Sequence, residues 1–482
     1  MKFALVQPHW DFAGSTYFGC PDTHLPLELF FARQQLIAAG HEVLLLDAHL
    51  EALTQDEAAR RLAAYTPDVI VLTTAPTYLF WRCPQPELRL PALWMRRLRR
   101  AAPRAATVAI GPHGSATPAA VLAKLDCDLV IQGEPDQILP RLASEAWETL
   151  PGCARRGPDG RACLQPGVNQ SDMEALPALA WEAWRDYPFH LRQHRHHVFS
   201  GFGRGAEIEA TRGCPWSCTF CNKTLFRNQF RQRRTAAVLA EAEGLARLGF
   251  DYVYFIDEIF GCGRRTPALL EGLAALPLQF GIQTRIDLWN EDSLAALGAA
   301  GCISLECGIE SITAGGRERF RKGCRLENDR IESLLRTARR HIPWVQANLI
   351  AAADGDDADD PGAIDTWRRS LISHGIWASQ PVPVFAFPGT PLYQRLFGPP
   401  DDLAWERAHE HYLASSQHRY SDIQDPEPEP LPALEAELEA RPARHGEDSI
   451  PAAWREPATA PVAQSTPALP TPRPTNSPPP GS

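Results

Sequence analysis

The strongest constraint on the fold is an alternation of strand and helix patterns that occurs twice along the 482 residues. Between residues 1 and 145, short apolar runs such as FALVQ, EVLLLD and DVIVLTT alternate with helical patterns over residues 27–39 and 55–63. Continuous runs of Val, Ile and Leu are typical of strands that helices cover on both faces. This first stretch therefore predicts a doubly wound parallel sheet of the α/β class.

The second alternation begins near Ala206 and supplies six further strand candidates, most of them followed by a helical pattern. The candidates are AEIEATRG, YVYFIDE, LQFGIQTR, ISLECGIES, VQANLIAAA and WASQPVPVFAF. Repeated strand and helix units of this kind close into parallel barrels, whose chemistry collects at the C-terminal ends of the strands. Residues 204–420 are therefore predicted to form a parallel β/α barrel, complete or partial.

Two segments lack this rhythm. Residues 146–203 contain RRGPDGRAC and the His-rich QHRHH, which predict a linker between domains, and the histidines 190, 194, 196 and 197 are interpreted as its surface. Residues 421–482 carry 10 Asp and Glu against 4 Lys and Arg, and residues 423–482 hold 15 of the 44 prolines. This acidic tail is predicted to be disordered, because it has little apolar surface to offset the entropy of ordering.

Charge and apolar patterning limit the partners. The formal net charge of -10 disfavours a nucleic-acid-binding surface, which must be basic to neutralise phosphates. No apolar run is long enough for a membrane span, and Gln7 and His9 interrupt the start too early for a signal peptide. We therefore expect a cytoplasmic protein with a small-molecule partner, whose 12 cysteines are reduced.

The strongest chemical signal is TRGCPWSCTFCNK, which places Cys214, Cys218 and Cys221 directly after the first strand of the second unit. Three thiolates within eight residues can hold one compact metal cluster. Zinc remains an alternative, although no fourth Cys or His lies nearby at finger-like spacing. Unliganded thiols are the other alternative. The favoured interpretation is a four-iron cluster with one iron left open to a further ligand.

This motif, with an aromatic residue before its last cysteine, resembles that of the radical S-adenosylmethionine (SAM) enzymes. The resemblance implies a 4Fe-4S cluster that chelates SAM and cleaves it to a 5'-deoxyadenosyl radical. It also implies roles in SAM binding for residues at the strand ends FIDEIF, QTRIDLW and GIES. These residues are Phe220, Asp257, Glu258, Arg285, Gly308, Glu310 and Ser311. The segments RKG at 321–323 and PGTPLY at 388–393 also fit the family pattern.

The first unit resembles the Rossmann-like cobalamin-binding domain that precedes many radical SAM barrels. It lacks the G-x-G-x-x-G pattern of a dinucleotide site, but its strands are followed by TT, GPHGSAT and QGEPD. The resemblance implies cobalamin contacts from Thr73, Thr74, Gly111, Pro112, His113, Gly133 and Glu134. The loop at residues 73–84 is expected to cover the lower face of the cobalt.

Three features depart from these patterns or leave a choice open. The D-x-H-x-x-G motif of methionine-synthase-like proteins is absent, so no protein histidine is expected below the cobalt, and His113 is interpreted as a loop histidine. After the fifth barrel strand, Asn348 precedes an acidic run that is interpreted as a solvated helix start. The basic RNQFRQRR at 227–234 either faces solvent or attracts an anionic substrate or electron donor.

Together these resemblances imply a cobalamin-dependent radical SAM enzyme that transfers a methyl group, via methylcobalamin, to an unactivated carbon. An electron donor such as flavodoxin or ferredoxin would supply the cluster. A radical cyclase or rearrangement enzyme is the alternative within enzymes. A cobalamin-binding regulator or Fe-S electron carrier is the alternative from another class.

Overall fold

The structure is a computed structural model that describes residues 1–10, 25–76, 88–181, 205–351 and 359–417. The acidic tail, the four linker histidines and most of the 73–84 loop lie outside these ranges, so their predictions stay open. Among the described residues, no helix is long and apolar enough to cross a bilayer.

The first sheet has seven strands. They are β1 (Lys2–Gln7), β2 (Glu42–Asp47), β3 (Val69–Thr73), β4 (Ala106–Ile110), β5 (Leu129–Ile131), β6 (Cys153–Arg156) and β7 (Ala162–Leu164). Their order is β2-β1-β3-β4-β5-β6-β7, and β1 to β5 pair in parallel. The helices of this part are α1 (Leu27–Ala38), α2 (Gln55–Tyr65), α3 (Arg89–Ala101), α4 (Pro112–Ala116) and α5 (Pro118–Leu125). The doubly wound sheet is confirmed.

The first sheet continues past residue 145, where the sequence predicted a linker to begin. β6 pairs antiparallel with β5, and β7 pairs antiparallel with β6. The turn between them contains Gly157 and Gly160, and Gly160 has a φ of 77° that favours glycine. The GPDG segment is therefore a hairpin turn, which the sequence analysis took for linker composition.

The second sheet is parallel. Its strands are β8 (Gly205–Ile208), β11 (Tyr252–Phe255), β12 (Gln279–Thr284), β13 (Cys302–Glu310), β14 (Trp344–Ala351), β15 (Trp377–Ala378) and β16 (Val382–Pro383). The order is β15-β14-β13-β12-β11-β8, with β16 beside β14. A separate antiparallel pair, β9 (Thr211–Arg212) and β10 (Arg231–Gln232), flanks the cysteine motif. Because no pairing among the described residues joins β15 to β8, the barrel is partial.

Nine helices accompany this sheet within the described ranges. They are α6 (Lys223–Phe226), α7 (Thr235–Arg247), α8 (Thr266–Ala274), α9 (Glu291–Ala299), α10 (Ala314–Arg319), α11 (Asn328–His341), α12 (Pro361–Ser373), α13 (Pro391–Phe397) and α14 (Ala404–Gln417). Side chains alternate along β14: Val345, Ala347 and Leu349 pack against the helices, while the residues between them are half-buried on the opposite face. The partial parallel barrel is therefore confirmed.

The two sheets share apolar cores. One core joins Val6 and Leu72 of the first sheet to Phe385 and Trp405 of the C-terminal part. Another joins Phe31 of α1 to the outer faces of β8 and β11. These shared cores bring the C-terminal ends of the first sheet close to the segment that carries the three cysteines.

Candidate functional site

The three motif cysteines lie in one loop between β9 and α6, which we call the cysteine loop (residues 213–222). Cys214, Cys218 and Cys221 are all half-buried, and each thiol interacts electrostatically with at least one of the others. Removal from water raises the pKa of each thiol to about 11. The thiols are therefore protonated at neutral pH and must lose protons when they bind metal.

The number and type of the donor groups suit an iron-sulfur cluster. Among the described residues, no three His, Cys, Asp or Glu side chains converge tightly enough to hold one ion. A tetrahedral zinc site needs ligands that all point at one centre. Three cysteines on a 4Fe-4S cluster bind three different irons and need not converge on one point. The three thiols thus fit a cluster.

The barrel strand ends and the C-terminal part hold the cysteine loop from several sides. The guanidinium of Arg285 lies 4.3 Å from the centre of the Trp216 ring, and two of its nitrogens donate to Asp287 at 3.0 and 2.7 Å. The backbone N–H of Thr219 donates to the carbonyl oxygen of Phe320 (3.0 Å), and the carbonyl of Thr219 accepts from Leu392 N–H (3.0 Å). The RKG and PGTPLY segments therefore flank the cysteine loop.

Phe220 packs edge-on against Phe320, with ring centroids 5.7 Å apart. It lies half-buried beside the core that joins the two domains. Its contact with SAM stays a prediction.

Asp257 and Glu258 follow β11, and the structure directs both carboxylates toward the cysteine loop and its flanks. Asp257 is fully buried and accepts from Ala210 N–H (3.2 Å) and from the Thr211 hydroxyl. Burial raises the pKa of Asp257 to about 8. Glu258 accepts from Gly213 N–H (2.9 Å). Burial opposes its charge, but neighbouring cations, Arg227 foremost, hold the pKa of Glu258 below its usual value.

The end of β13 forms a tight turn around Glu310. Gly308 leaves room for the Glu310 carboxylate, because a Cβ at this position would lie 2.5 Å from Glu310 Oε1 and would displace that side chain. Lys322 Nζ donates to the same oxygen at 2.9 Å. Ser311 Oγ donates to Asp359 (2.8 Å), which also accepts from Ile312 N–H (2.8 Å). The acidic run after β14 thus supplies a carboxylate that fixes the GIES turn, a role that sequence reasoning missed.

In the first domain, the predicted cobalamin contacts lie together at the strand ends. Thr73 Oγ1 donates to Gln7 Oε1 (2.8 Å), and Thr74 Oγ1 lies 3.2 Å from His113 Nδ1. Gly111 has a φ of 126°, and a Cβ there would lie 2.5 Å from Thr74 Oγ1. Pro112 begins α4 directly afterwards. These residues form one surface, while their contacts with cobalamin remain predictions.

His113 is buried against the C-terminal helix α14. Its ring centroid lies 4.4 Å from that of Trp405, whose indole N–H donates to Thr117 Oγ1 at 2.7 Å. The contact between His113 and Trp405 could not be predicted from sequence, because nothing local to WERAHEHY indicates that this helix returns to the first domain. The one sequence signal was the tryptophan at position 405, because tryptophan side chains are largely buried on average, which indicates a helix packed against another part of the protein.

The QGEPD loop turns its acidic groups toward the barrel. At Gly133, a Cβ would lie 2.1 Å from the Asn169 carbonyl oxygen, so only glycine fits. Glu134 is 1% exposed and pairs with Arg231 (2.6 Å) and Arg227 (3.1 Å). Burial opposes its charge, but these guanidinium groups and Arg212 together hold the pKa of Glu134 well below its usual range. The structure shows these ion pairs of Glu134, and its contact with cobalamin stays a prediction.

The basic segment 227–234, for which the sequence left solvent exposure or attraction of an anionic partner open, faces solvent only in part: Arg234 is exposed, whereas two of its other three arginines are buried. Arg227 is 4% exposed and Arg233 is 1% exposed. Arg233 pairs with Glu241 at 2.5 Å, and Arg231 donates twice to Glu134. Buried acids from α7 and from the first domain explain why so many arginines are held inside.

Comparisons with known proteins agree with these two parts of the chain. The family model of the radical SAM superfamily matches residues 208–356, and the B12 binding domain model matches residues 21–143. Hopanoid C-3 methylase of Methylococcus capsulatus is 27% identical over 69% of this chain and 62% of that protein. Bacteriochlorophyllide d C-12(1)-methyltransferase of Chlorobaculum tepidum is 24% identical over 59% of each chain. The chain thus spans about three fifths of the length of these curated relatives.

Two solved structures share the fold. The radical SAM methyltransferase TsrM from Kitasatospora setae, with cobalamin and a [4Fe-4S] cluster bound, matches with a TM-score of 0.61 at 19% identity. This match covers 81% of this chain and 76% of that chain. The cobalamin-dependent radical SAM enzyme OxsB, with aqua-cobalamin and SAM bound, matches with a TM-score of 0.62 at 14% identity. That match covers 90% of this chain and 70% of the other.

Fold and site define a two-domain α/β protein whose cysteine loop lies at the junction with a doubly wound domain. The chain contains a radical SAM domain over residues 208–356 and, before it, a B12 binding domain over residues 21–143. A radical SAM domain implies a 4Fe-4S cluster and SAM, and a B12 binding domain implies cobalamin, which are the cofactors that the sequence motifs predicted.

Proposed function

We propose that this protein is a cobalamin-dependent radical SAM enzyme that transfers a methyl group to an unactivated carbon of a small molecule. The observation that carries the proposal is a loop of three half-buried thiols, fixed at the junction with a B12-binding domain. When bound, the cluster would supply the electron that cleaves SAM, and cobalamin would carry the methyl group.

The chain's own residues would place these groups and exclude water. Cys214, Cys218 and Cys221 would hold three irons and leave the fourth open. The stacked pair of Arg285 and Trp216 would keep the loop in shape beside the mouth of the barrel. Burial of the thiols would shield the cluster from solvent.

The strand-end residues are proposed as the SAM contacts. Glu310 and Ser311 lie at the end of β13, and Lys322 holds the carboxylate of Glu310 in place. Glu258 fixes the backbone of the cysteine loop through Gly213, and Asp257 fixes the backbone just before that loop through Ala210. We propose that they act on SAM from that position.

Further parts of the proposal concern the surroundings of the enzyme. An iron-sulfur cluster and reduced thiols suit the cytoplasm, and all ten cysteines within the described ranges are free. A small electron-transfer protein, such as flavodoxin or ferredoxin, would reduce the cluster.

The experiment is anaerobic reconstitution of three proteins: the wild type, Cys218→Ala and the matched control Cys163→Ala. Cys163 is also half-buried, but it lies on β7 in the first sheet. With dithionite and SAM, the wild type and the control are expected to bind iron and sulfide and to release 5'-deoxyadenosine. Cys218→Ala is expected to lose both. Retained SAM cleavage in Cys218→Ala would contradict the proposal.

A radical cyclase is the second candidate, because anaerobic magnesium-protoporphyrin IX monomethyl ester cyclases are also among the similar proteins. The one from Rubrivivax gelatinosus is 23% identical over 64% of this chain and 56% of that protein. SAM labelled in its methyl group separates the two. Label recovered on the bound corrinoid supports methyl transfer, whereas 5'-deoxyadenosine formation without label on the corrinoid supports the cyclase.

A further inference from the structure

A set of buried charged side chains crosses the boundary between the two domains. We call it the junction network and define it by two acids of the QGEPD loop and five residues of the barrel domain. Its members are Glu134, Asp136, Glu209, Arg212, Arg227, Arg231 and Glu258. Except for Arg231, whose side chain is 17% exposed, all these side chains are at most 5% exposed.

One path through the junction network leads from the first domain to the first cysteine. Glu134 Oε1 lies 3.1 Å from Arg227 Nε, and Arg227 Nη1 donates to Glu258 Oε1 at 2.6 Å. The other oxygen of Glu258 accepts from Gly213 N–H at 2.9 Å. The carbonyl of Arg227 accepts from Cys214 N–H at 3.0 Å. Arg227 therefore links the QGEPD loop to the backbone N–H groups of Gly213, through Glu258, and of Cys214, through its own carbonyl.

A second path uses Arg212, the residue directly before Gly213. Its guanidinium donates to both oxygens of Asp136, at 2.6 and 3.0 Å. Its Nε donates to Glu209 at 2.8 Å. A bidentate pair of this kind fixes the angle between the partners as well as their distance. The start of the cysteine loop is thus oriented directly against the first domain.

The junction network is more directional than domain association requires. The shared apolar cores already bury surface between the domains, and apolar burial has no preferred direction. Buried ion pairs cost desolvation and often contribute little net stability, whereas they can specify one geometry. The barrel-domain members of these pairs adjoin the cysteine loop or bond to its backbone. The geometry that the pairs specify is therefore the position of the cysteine loop relative to the first domain.

Resting on the proposed function, we propose that the junction network is a positioning device that holds the cysteine loop at one distance and angle from the B12-binding domain. Glu134 is its central positioning residue, because it joins Arg227 and Arg231 to the QGEPD loop. The junction network would set the separation between the cluster and the cobalt, because a reaction that uses both needs them at a fixed distance and orientation.

The experiment measures that separation directly. Protein reconstituted with a 4Fe-4S cluster and cob(II)alamin is reduced so that both centres are paramagnetic, and pulsed EPR gives the distance distribution between them. The variant is Glu134→Gln, which keeps the shape of the side chain and removes its charge. The matched control is Glu406→Gln, because Lys124 and Glu406 form a partly exposed ion pair that also joins the two domains, far along the chain from the cysteine loop.

The wild type and Glu406→Gln are expected to show one narrow distance, and Glu134→Gln is expected to lose it in favour of a broader, shifted distribution. The same narrow distance in Glu134→Gln would overturn the proposal. If Glu134→Gln fails to fold, Arg231→Gln takes its place, since Arg231 is the more exposed partner of Glu134. A wild type that binds no cob(II)alamin or no cluster would instead overturn the proposed function.

Discussion

Gly213 shows how a single residue shapes the candidate cluster site. Its φ of 86° lies in the left-handed region, and a Cβ there would lie 2.0 Å from the carbonyl oxygen of Gln229. The backbone would have to move, and with it the bonds from Gly213 N–H to Glu258 and from Cys214 N–H to Arg227. The glycine thus lets the chain pass close to its own return segment.

Gly213→Ala is therefore expected to lose most of the bound iron after anaerobic reconstitution. Gly249→Ala is the matched control, because Gly249 has nearly the same φ, 83°, but a Cβ there would meet no atom within 4 Å. The control should lose about 1 kcal/mol of stability from backbone strain and keep its iron. Iron and sulfide analysis checks the result, and equal iron content in the two variants would contradict it.

At the residue scale, the sequence predicted the cysteines well because their chemistry is local. A spacing of three thiols within one loop needs no knowledge of the rest of the fold. The partners of Glu134 could not be predicted in this way, because Arg227 and Arg231 come from another domain. The surroundings of the basic segment stayed open for the same reason: acids that pair with it, such as Glu134, lie far away in the chain.

At the scale of elements, α14 connects the end of the barrel domain back to the first domain. Trp405 and Tyr412 enter the core that also contains Leu72 of the first sheet. His409 on the same helix is 3% exposed. Burial, together with the charge of Arg89, lowers the pKa of His409 to about 4, and Glu406 opposes this shift.

The docking of α14 is expected to weaken in acid. Below pH 6.5, the ordinary value for histidine, the unfolded chain takes up a proton that folded His409 accepts only near pH 4. Folding stability from this group is therefore complete above pH 6.5 and falls by up to about 3 kcal/mol as the pH drops to 4.

Denaturant unfolding of the wild type and of His409→Gln between pH 7 and pH 4 checks this. As the pH falls, the free energy of unfolding should decrease more for the wild type than for His409→Gln. His374→Gln is the control, because His374 is exposed on the C-cap of α12. A pH dependence that is identical in the wild type and His409→Gln would count against the buried neutral histidine.

Strands and helices themselves were largely predictable from apolar periodicity. The pattern over residues 328–341 coincides with α11, and that over 235–248 nearly coincides with α7. The hairpin of β6 and β7 was missed, because its strands are short and the segment contains three arginines, including the one at the turn. Its apolar face is supplied mainly by Cys153 and Ala154, which periodicity over four residues cannot reveal.

At the scale of the whole molecule, the two domains share apolar cores and are not joined by a linker alone. Apolar residues of α1 pack with β8 and β11, and the C-terminal part packs on α3 and α5 of the first domain. The junction network adds buried charges to the same boundary. The sequence predicted a linker packed between the domains, but not these contacts, because their partners lie far apart in the chain.

A chain that begins at residue 166 is therefore expected not to fold as a soluble barrel. It would leave Arg212 and Arg227 without their acidic partners of the first domain, and unpaired buried charges cost about 3–5 kcal/mol. Circular dichroism and size-exclusion chromatography check the outcome. The full-length chain is the reference, and a monomeric truncated barrel with a sharp thermal transition would contradict the shared core.

The most direct test of the central claim asks whether SAM binds to an open iron of the cluster in the cysteine loop. The reconstituted protein is reduced, and the EPR spectrum of the cluster is recorded before and after addition of SAM. The wild type is expected to give a cluster signal that shifts when SAM is added. Cys218→Ala is expected to give no such signal. A wild-type cluster signal that SAM leaves unchanged, or zinc in place of iron in the isolated protein, would contradict it.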